Sequence, residues 1–167
     1  ALISLKAQSK NLTFNINIDK NLPVHLYGDD VRIRQILTNL LSNAIKYTKQ
    51  GTVTLNIMGE RKDPEVTLHR SVIDTGIGIK EEHLADLFET YKRIEDDSNH
   101  YIEGTGLGLT ITMHLLKLMG SELQVRSEYG KGSKFFFDLR QTATGSMTIG
   151  EYQQQKTNVP TKKNWTS

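Results

Sequence analysis

The sequence predicts an α/β fold: a two-layer α/β sandwich in which one mixed sheet carries its helices on one face. Three observations carry that expectation. Apolar residues alternate with polar ones in several short runs, as half-buried strands require. Two longer segments, 29–48 and about 107–119, repeat their apolar residues at helical spacing instead. The strand-like and helix-like runs follow one another without the strict βα alternation of a doubly wound sheet.

In chain order, residues 1–10 read as helix. Leu12, Phe14, Ile16 and Ile18 alternate as a first strand, broken by Leu22-Pro23. From Asp29 to Thr48 the apolar set is Ile33, Ile36, Leu37, Leu40, Leu41 and Ala44. Gly51 closes that unit, and Val53, Leu55 and Ile57 form a second strand. After a turn at Arg61–Pro64, Val66 to Ile73 reads as a third strand running into Asp74-Thr75-Gly76-Ile77-Gly78-Ile79. Lys80 to Phe88 is a short helix, with Glu81 and Glu82 where the helix dipole favours acids. Residues 90–104 are polar and weakly patterned. A helix over Leu107–Met119 is closed by Gly120. Leu123 and Val125 mark a fourth strand, and Phe135, Phe137 and Leu139 a fifth.

Composition narrows the function. There is no cysteine, so disulfides and thiolate metal sites are excluded. The net charge is +2, and it belongs to the end of the chain. Without the three lysines and one glutamate of residues 141–167, 18 basic and 18 acidic residues remain. The folded part thus lacks the concentrated positive charge of a nucleic-acid-binding face. No apolar run is long enough to span a bilayer, and no membrane contact by this domain is expected. The chain opens at Ala1 within a helical pattern, which reads as a piece of a longer protein. Residues 1–140 are expected to form the domain, and the polar segment 141–167 a flexible tail or linker.

Three segments carry candidate chemistry. On helix 29–48, Arg32, Gln35, Asn39, Asn43 and Lys46 share one narrow face. A solvated face favours Glu and Lys, whereas mid-helix Asn is unfavourable because its amide competes for backbone bonds. An Asn pair one turn apart instead suits a hard cation such as Mg²⁺, and Lys46 can hold a phosphate. At the end of the third strand, Asp74 is a carboxylate entering a buried position and needs a donor. Adenine's exocyclic amine supplies one, whereas guanine presents an acceptor oxygen there. Gly76 and Gly78 would let the backbone approach a flat base. Third, Glu103-Gly104-Thr105-Gly106-Leu107-Gly108-Leu109 opens a helix, and glycines before a helix N-terminus favour anions. The third glycine comes one position early for a dinucleotide-binding fingerprint, and Gly130-Lys131-Gly132-Ser133 lacks the P-loop frame.

Together and in this order, these segments resemble the ATP-binding catalytic domain of sensor histidine kinases. That superfamily is shared with type II topoisomerases, heat-shock chaperones and mismatch-repair ATPases. Asp29 to Thr48 resembles its N box, Asp74 to Ile79 its first glycine box, Leu87-Phe88-Glu89-Thr90-Tyr91 its F box and Gly104 to Leu109 its second glycine box. The resemblance covers about residues 10–140. It implies that ATP and Mg²⁺ are the cofactors, with Asn43 on the metal, Asn39 beside it, Lys46 at a phosphate and Tyr47 lining the nucleotide. Asp74 would read the adenine amine, with Gly76, Gly78 and Ile79 around the base. Gly104, Thr105, Gly106, Leu107, Gly108 and Leu109 would belong to a mobile ATP lid over residues 92–104 and the helix after it. Ser133 would reach adenine through water.

The resemblance also implies a reaction. Superfamily hydrolases usually carry a Glu one turn before the metal-binding Asn, as base for water. Asn39 occupies that position here and cannot take a proton. Transfer to a histidine is therefore expected, with Asn43 and Lys46 as the catalytic pair. The five histidines of this chain lack the acceptor's usual neighbours. The implied partners are a histidine-bearing dimerisation domain of the same parent protein and a response regulator or receiver domain. The implied location is cytoplasmic. A nucleotide-binding regulatory module and a related ATPase or serine-directed kinase are the rival readings. Arg70 departs from the pattern, standing where an apolar strand residue is usual, and a bulge or a snorkelling side chain is expected there.

Overall fold

A computed structural model describes residues 2–23, 26–96, 107–145 and 147–158. The elements are α1 (Leu2–Ser9), β1 (Thr13–Ile18), β2 (Leu26–Tyr27), α2 (Asp30–Tyr47), β3 (Thr52–Lys62), β4 (Glu65–Asp74), α3 (Glu81–Asp96), α4 (Leu107–Leu118), β5 (Gln124–Glu128), β6 (Gly132–Ala143) and α5 (Ile149–Asn158). The strands form one six-stranded sheet in the order β1-β3-β4-β6-β2, with β5 also pairing β6. β1 runs parallel to β3, and the other pairings are antiparallel, so the sheet is mixed as expected.

Strand period decides which face is covered. Val53 and Leu55 of β3, Val66, Leu68 and Val72 of β4, and Phe135, Phe137 and Leu139 of β6 are all buried. Against all of these but Val66 and Leu68 pack Ile33, Ile36, Leu40, Leu41, Ala44 and Ile45 of α2 and Leu109, Met113 and Leu116 of α4, together with Ala7 of α1. The intervening strand positions are polar or half exposed. On that outer face His69 meets Asp138 at 2.6 Å and Asn17 meets Asn56 at 3.0 Å.

The helix ends follow from identifiable residues. Asp29 caps α2 by accepting from the Arg32 amide at 3.2 Å. At the other end the Lys10 ammonium donates to the carbonyls of Ile45 (2.6 Å) and Lys46 (3.3 Å), satisfying orphan acceptors where the dipole is negative. Gly120, at φ +75°, ends α4 with a two-bond cap: Gly120 N–H to Lys117 O (3.0 Å) and Ser121 N–H to Leu116 O (2.8 Å).

β2 was not foreseen, because two residues cannot show a period. α3 does not stop at Phe88 but runs to Asp96. The spacing of Leu84, Leu87, Tyr91 and Ile94 sustains a helical stripe, and no Gly or Pro interrupts it. The part of the expected lid at 92–96 is therefore helix, and residues 97–104 lie outside the described residues.

The segment from 141 is not a featureless linker through Asn158. Residues 141–143 continue β6, and α5 follows. Thr148 and Glu151 form a reciprocal capping box: the Glu151 amide donates to Thr148 Oγ1 (3.2 Å), and the Thr148 amide to Glu151 Oε2 (3.3 Å). Ile149 packs with Leu22, Val66 and Leu68 in a second, smaller core, and its amide donates to the Leu22 carbonyl at 2.8 Å. Residues 159–167 lie outside the described residues.

Arg70, finally, is neither in a bulge nor snorkelling. It pairs regularly between Ile57 and Phe137 and is 6 % exposed. Its Nη2 donates to Gln141 Oε1 at 2.7 Å, but Nε and Nη1 have no partner among the described residues. Burial pushes its pKa down to about 10, so it is still charged at neutral pH. An incompletely paired buried cation is a standing cost. Arg70→Met, which fills similar volume without donors, is expected to raise stability by about 1–3 kcal/mol. Urea titrations of the two proteins measure this, and an unchanged or lower midpoint would show that the guanidinium is compensated.

Candidate nucleotide site

β4 delivers Asp74 to the end of the sheet, on its covered face, where it is 6 % exposed. Loss of hydration raises its pKa above the usual carboxylate value. Opposing that, the Gly76 amide donates to Asp74 Oδ1 at 2.9 Å, and the Ser133 amide and the Thr48 hydroxyl also favour the anion. The Thr48 proton is shared poorly, because the same hydroxyl donates to the Ala44 carbonyl at 2.8 Å. The two amides are the dependable donors.

The glycines beside Asp74 are required by the packing of the protein itself. A Cβ on Gly76 would stand 2.4 Å from the Tyr47 carbonyl and 2.9 Å from Asp74 Oδ1. Gly78 has φ +72°, and a Cβ there would meet the Glu128 carbonyl at 2.2 Å. The loop after β4 is thus clamped between the end of α2 and the β5–β6 turn. Gly130 N–H to Ile77 O and the Ile79 amide to Ser127 Oγ (2.7 Å) complete the clamp.

Above this floor lies a cavity of about 450 Å³. It is lined by Asn43 and Tyr47 from α2, by Asp74, Gly78 and Ile79, by Leu109 of α4 and by Ser133 of β6. Seven residues singled out from the sequence therefore converge on one pocket. Gly76 supports it from behind. Asn39 and Lys46 lie on the same α2 face but not on the pocket wall; Lys46 is exposed, with its ammonium 5.4 Å from the Tyr47 ring centre. Gly104, Thr105 and Gly106 lie outside the described residues. Leu107 begins α4, and Gly108 sits exposed in its first turn.

Sequence reading missed Ile77, Lys80, His83, Tyr129 and Phe135 as lining residues, and it assigned Leu87 only to a box. Phe135 was recoverable, since it shares strand parity with Ser133. Tyr129, whose ring lies 4.9 Å from the Lys80 ammonium, comes from a turn that no local signal places near the Asp74 loop.

Residues 28–143 match the family described as histidine kinase-, DNA gyrase B-, and HSP90-like ATPase. This chain belongs to that family. Among curated relatives, hybrid signal transduction histidine kinase B of Dictyostelium discoideum is 42% identical over 139 residues, covering 83% of this chain and 7% of that protein. The aerobic respiration control sensor protein ArcB of Escherichia coli strain K12 is 43% identical over 135 residues, covering 80% and 17%. The chain therefore spans less than a fifth of the length of either relative. A crystal structure of full-length ShkA in complex with AMPPNP superposes with TM-score 0.67 at 32% identity, covering 87% of this chain and 29% of that one. The nucleotide-free catalytic domain of the histidine kinase ThkA gives TM-score 0.60 at 26% identity, covering 83% and 86%. Within the family, the chain is an ATP-binding catalytic domain of the two-component histidine kinase type.

Two predictions follow from the pocket's geometry. A carboxyl group whose folded pKa is raised stabilises the fold fully only below its ordinary value of 3.8, and that contribution is lost as pH rises through the folded value. At neutral pH the ionised Asp74 therefore opposes folding. Asp74→Asn should leave stability at pH 7 equal or higher, while weakening adenine-nucleotide binding by about 2 kcal/mol or more. Calorimetry and denaturation on the same protein test both halves; a parallel fall in stability would contradict the buried-anion account. Gly78→Ala should cost about 1–3 kcal/mol through its positive φ and the clash with Glu128. It should also perturb Ile79 and Ser127 amide shifts before those of β1, and unchanged stability would dissolve the clamp.

Proposed function

We propose that this domain binds Mg-ATP with adenine on Asp74 and transfers the γ-phosphoryl group to a histidine on a separate dimerisation domain. The observation that carries this is the convergence on one cavity of Asn43 and Tyr47 from the N-box helix with Asp74 and Ser133 from the sheet. Asp74 lies in an apolar cavity wall with its donors behind it, so its free acceptor capacity faces an incoming N–H. Leu109, Phe135, Ile77 and Ile79 offer apolar surface to a flat base.

Asn43 fits Mg²⁺. Its amide oxygen is a hard neutral ligand at the pocket wall, and Mg²⁺ takes few protein ligands because it retains waters and phosphate oxygens. Among the described residues no group of three His, Asp or Glu competes as a metal site. When bound, the cation neutralises phosphate charge. Lys46, solvent-exposed one turn along, would hold a phosphate as a point charge. Asn39, half buried in the preceding turn, has no basic lone pair for activating water. Phosphoryl transfer needs positioning and charge neutralisation more than acid–base chemistry, and this residue set supplies the former.

The dimerisation domain, a downstream response regulator or receiver domain, and a cytoplasmic location belong to the same proposal. Histidine kinases with far longer chains than this one support it. No helix among the described residues is long and apolar enough to cross a membrane.

Incubation with γ-labelled ATP, Mg²⁺ and a separate histidine-bearing helical hairpin tests the reaction. Acid-labile label should appear on the hairpin and not on this chain. Asn43→Ala should reduce transfer by about a hundredfold, as loss of a transition-state contact does. Label on this chain alone, or release of phosphate at the same rate without the hairpin, would refute the transfer reading.

A further inference from the structure

The β5–β6 turn places two hydroxyls behind the pocket wall. Ser127 of β5 and Ser133 of β6 are cross-strand partners, with their oxygens 2.8 Å apart. Ser127 Oγ also accepts from the Ile79 amide (2.7 Å) and donates to the Gly132 carbonyl (3.0 Å). A serine hydroxyl has one proton and two lone pairs. An amide can only donate and a carbonyl can only accept. Ser127's single proton is therefore committed to Gly132, and one lone pair to Ile79. Its remaining lone pair faces Ser133, so in the 2.8 Å contact Ser133 is the donor. The reverse arrangement would strip the buried Gly132 carbonyl of this bond.

Ser133 lines the cavity and is 8 % exposed, beside Asp74. With its proton turned away, it shows lone pairs alone to a ligand. We propose that Ser127 is a positioning residue that fixes the hydrogen-bond polarity of Ser133, so that the wall beside Asp74 offers a ligand acceptors and no donor. A 6-amino purine has two N–H groups to meet Asp74 and Ser133, directly or through one water. A 6-oxo purine brings an acceptor into the same place and finds none of the donors it needs. This inference rests on the reading of the cavity as an adenine site and deepens it: Asp74 alone does not set the base preference, because a free Ser133 hydroxyl could rotate to satisfy a 6-oxo group.

The test compares ADP with inosine diphosphate, in the presence of Mg²⁺, by calorimetry on the whole domain. Ser127→Ala should lower the preference for ADP about five- to tenfold, the equivalent of one hydrogen bond changed in sign. Inosine diphosphate should gain affinity as ADP loses it. Ser127→Thr keeps the hydroxyl and should keep the preference. In a Ser133→Ala background, Ser127→Ala should have no further effect on the ratio. If Ser127→Ala fails to fold, Ser127→Cys keeps most of the volume with a weak sulfur acceptor and should show the same fall. A general loosening of the turn would weaken both ligands alike and leave the ratio intact; that result overturns the proposal. So does a change in ratio that persists without the Ser133 hydroxyl. Equal affinities in the unaltered protein would overturn the adenine reading itself, whereas a preference that survives Ser127→Ala overturns the role of Ser127 alone.

Discussion

On the proposed reading Asp74 works as an anion in a place where an anion is costly, and the backbone around it is arranged to meet that cost. Burial raises its pKa, and amides of Gly76 and Ser133 hold it down. Those amides can reach the carboxylate only because the chain turns tightly after β4 and because β6 runs alongside. Gly76 must lack a side chain for the turn to pass under Tyr47, and Gly132 must lack one because a Cβ would stand 2.1 Å from the Asp74 carbonyl. Gly78 then has to fit against Glu128. Three glycines, far apart in sequence, thus let the backbone close around the end of β4.

The same strand face carries a second buried charge with the opposite fate. Arg70 lies four residues before Asp74, about 13 Å away at strand rise, too far to pair with it. Asp74 is surrounded by donors held in place by backbone, and its free side faces a cavity. Among the described residues Arg70 has one side-chain acceptor, Gln141, and two nitrogens without a hydrogen-bond partner. Two buried ions at similar exposure can therefore be told apart by their partners. Where the backbone supplies donors to the charge, as at Asp74, the charge fits the proposed site. Where it does not, the charge is a burden on the fold. Gly28 fits that view, since a Cβ there would crowd the Gln141 amide at 2.6 Å and disturb the one bond Arg70 has.

The layers of the fold and the pocket's principal walls were legible because each rests on a local pattern: period 3.6 in α2, period 2 in β3, β4 and β6, and glycine after a buried strand end. What escaped was set by contacts distant in the chain. β2 exists because Leu26 and Tyr27 pair with Thr142 and Ala143, more than a hundred residues away. Tyr129 enters the pocket because its turn closes on Gly78. The capping box of α5 was visible as Thr148 and Glu151, yet the polar composition around it argued for a linker, and one apolar anchor, Ile149, decided otherwise. For Gly76 and Gly78 the packing partners, Tyr47 and Glu128, were likewise out of reach of a local pattern. Sequence says that a side chain is excluded, and the fold alone says by what.

On the proposed reading, the two ends of the nucleotide meet opposite kinds of structure. The base end is built from a hydrogen-bonded ladder, where Asp74, Ser133 and Ser127 are fixed by backbone pairing and cannot adjust to a different purine without breaking bonds behind the wall. The phosphate end lies by the last turn of α2, where Lys46 and Tyr47 are exposed. A helix C-terminus is a poor neighbour for phosphate, because its unpaired carbonyls carry negative partial charge. Lys10 answers this by donating to two of those carbonyls, leaving Lys46 free to face the anion. The favourable helix end for phosphate is instead the start of α4, whose first amides point along its axis toward whatever precedes Leu107. A rigid base site and an electrostatic phosphate site divide the work in a way that suits transfer to an outside acceptor. On this proposal, specificity for the nucleotide would be settled inside the domain, while the γ-phosphoryl group would be held at a margin open to an outside acceptor.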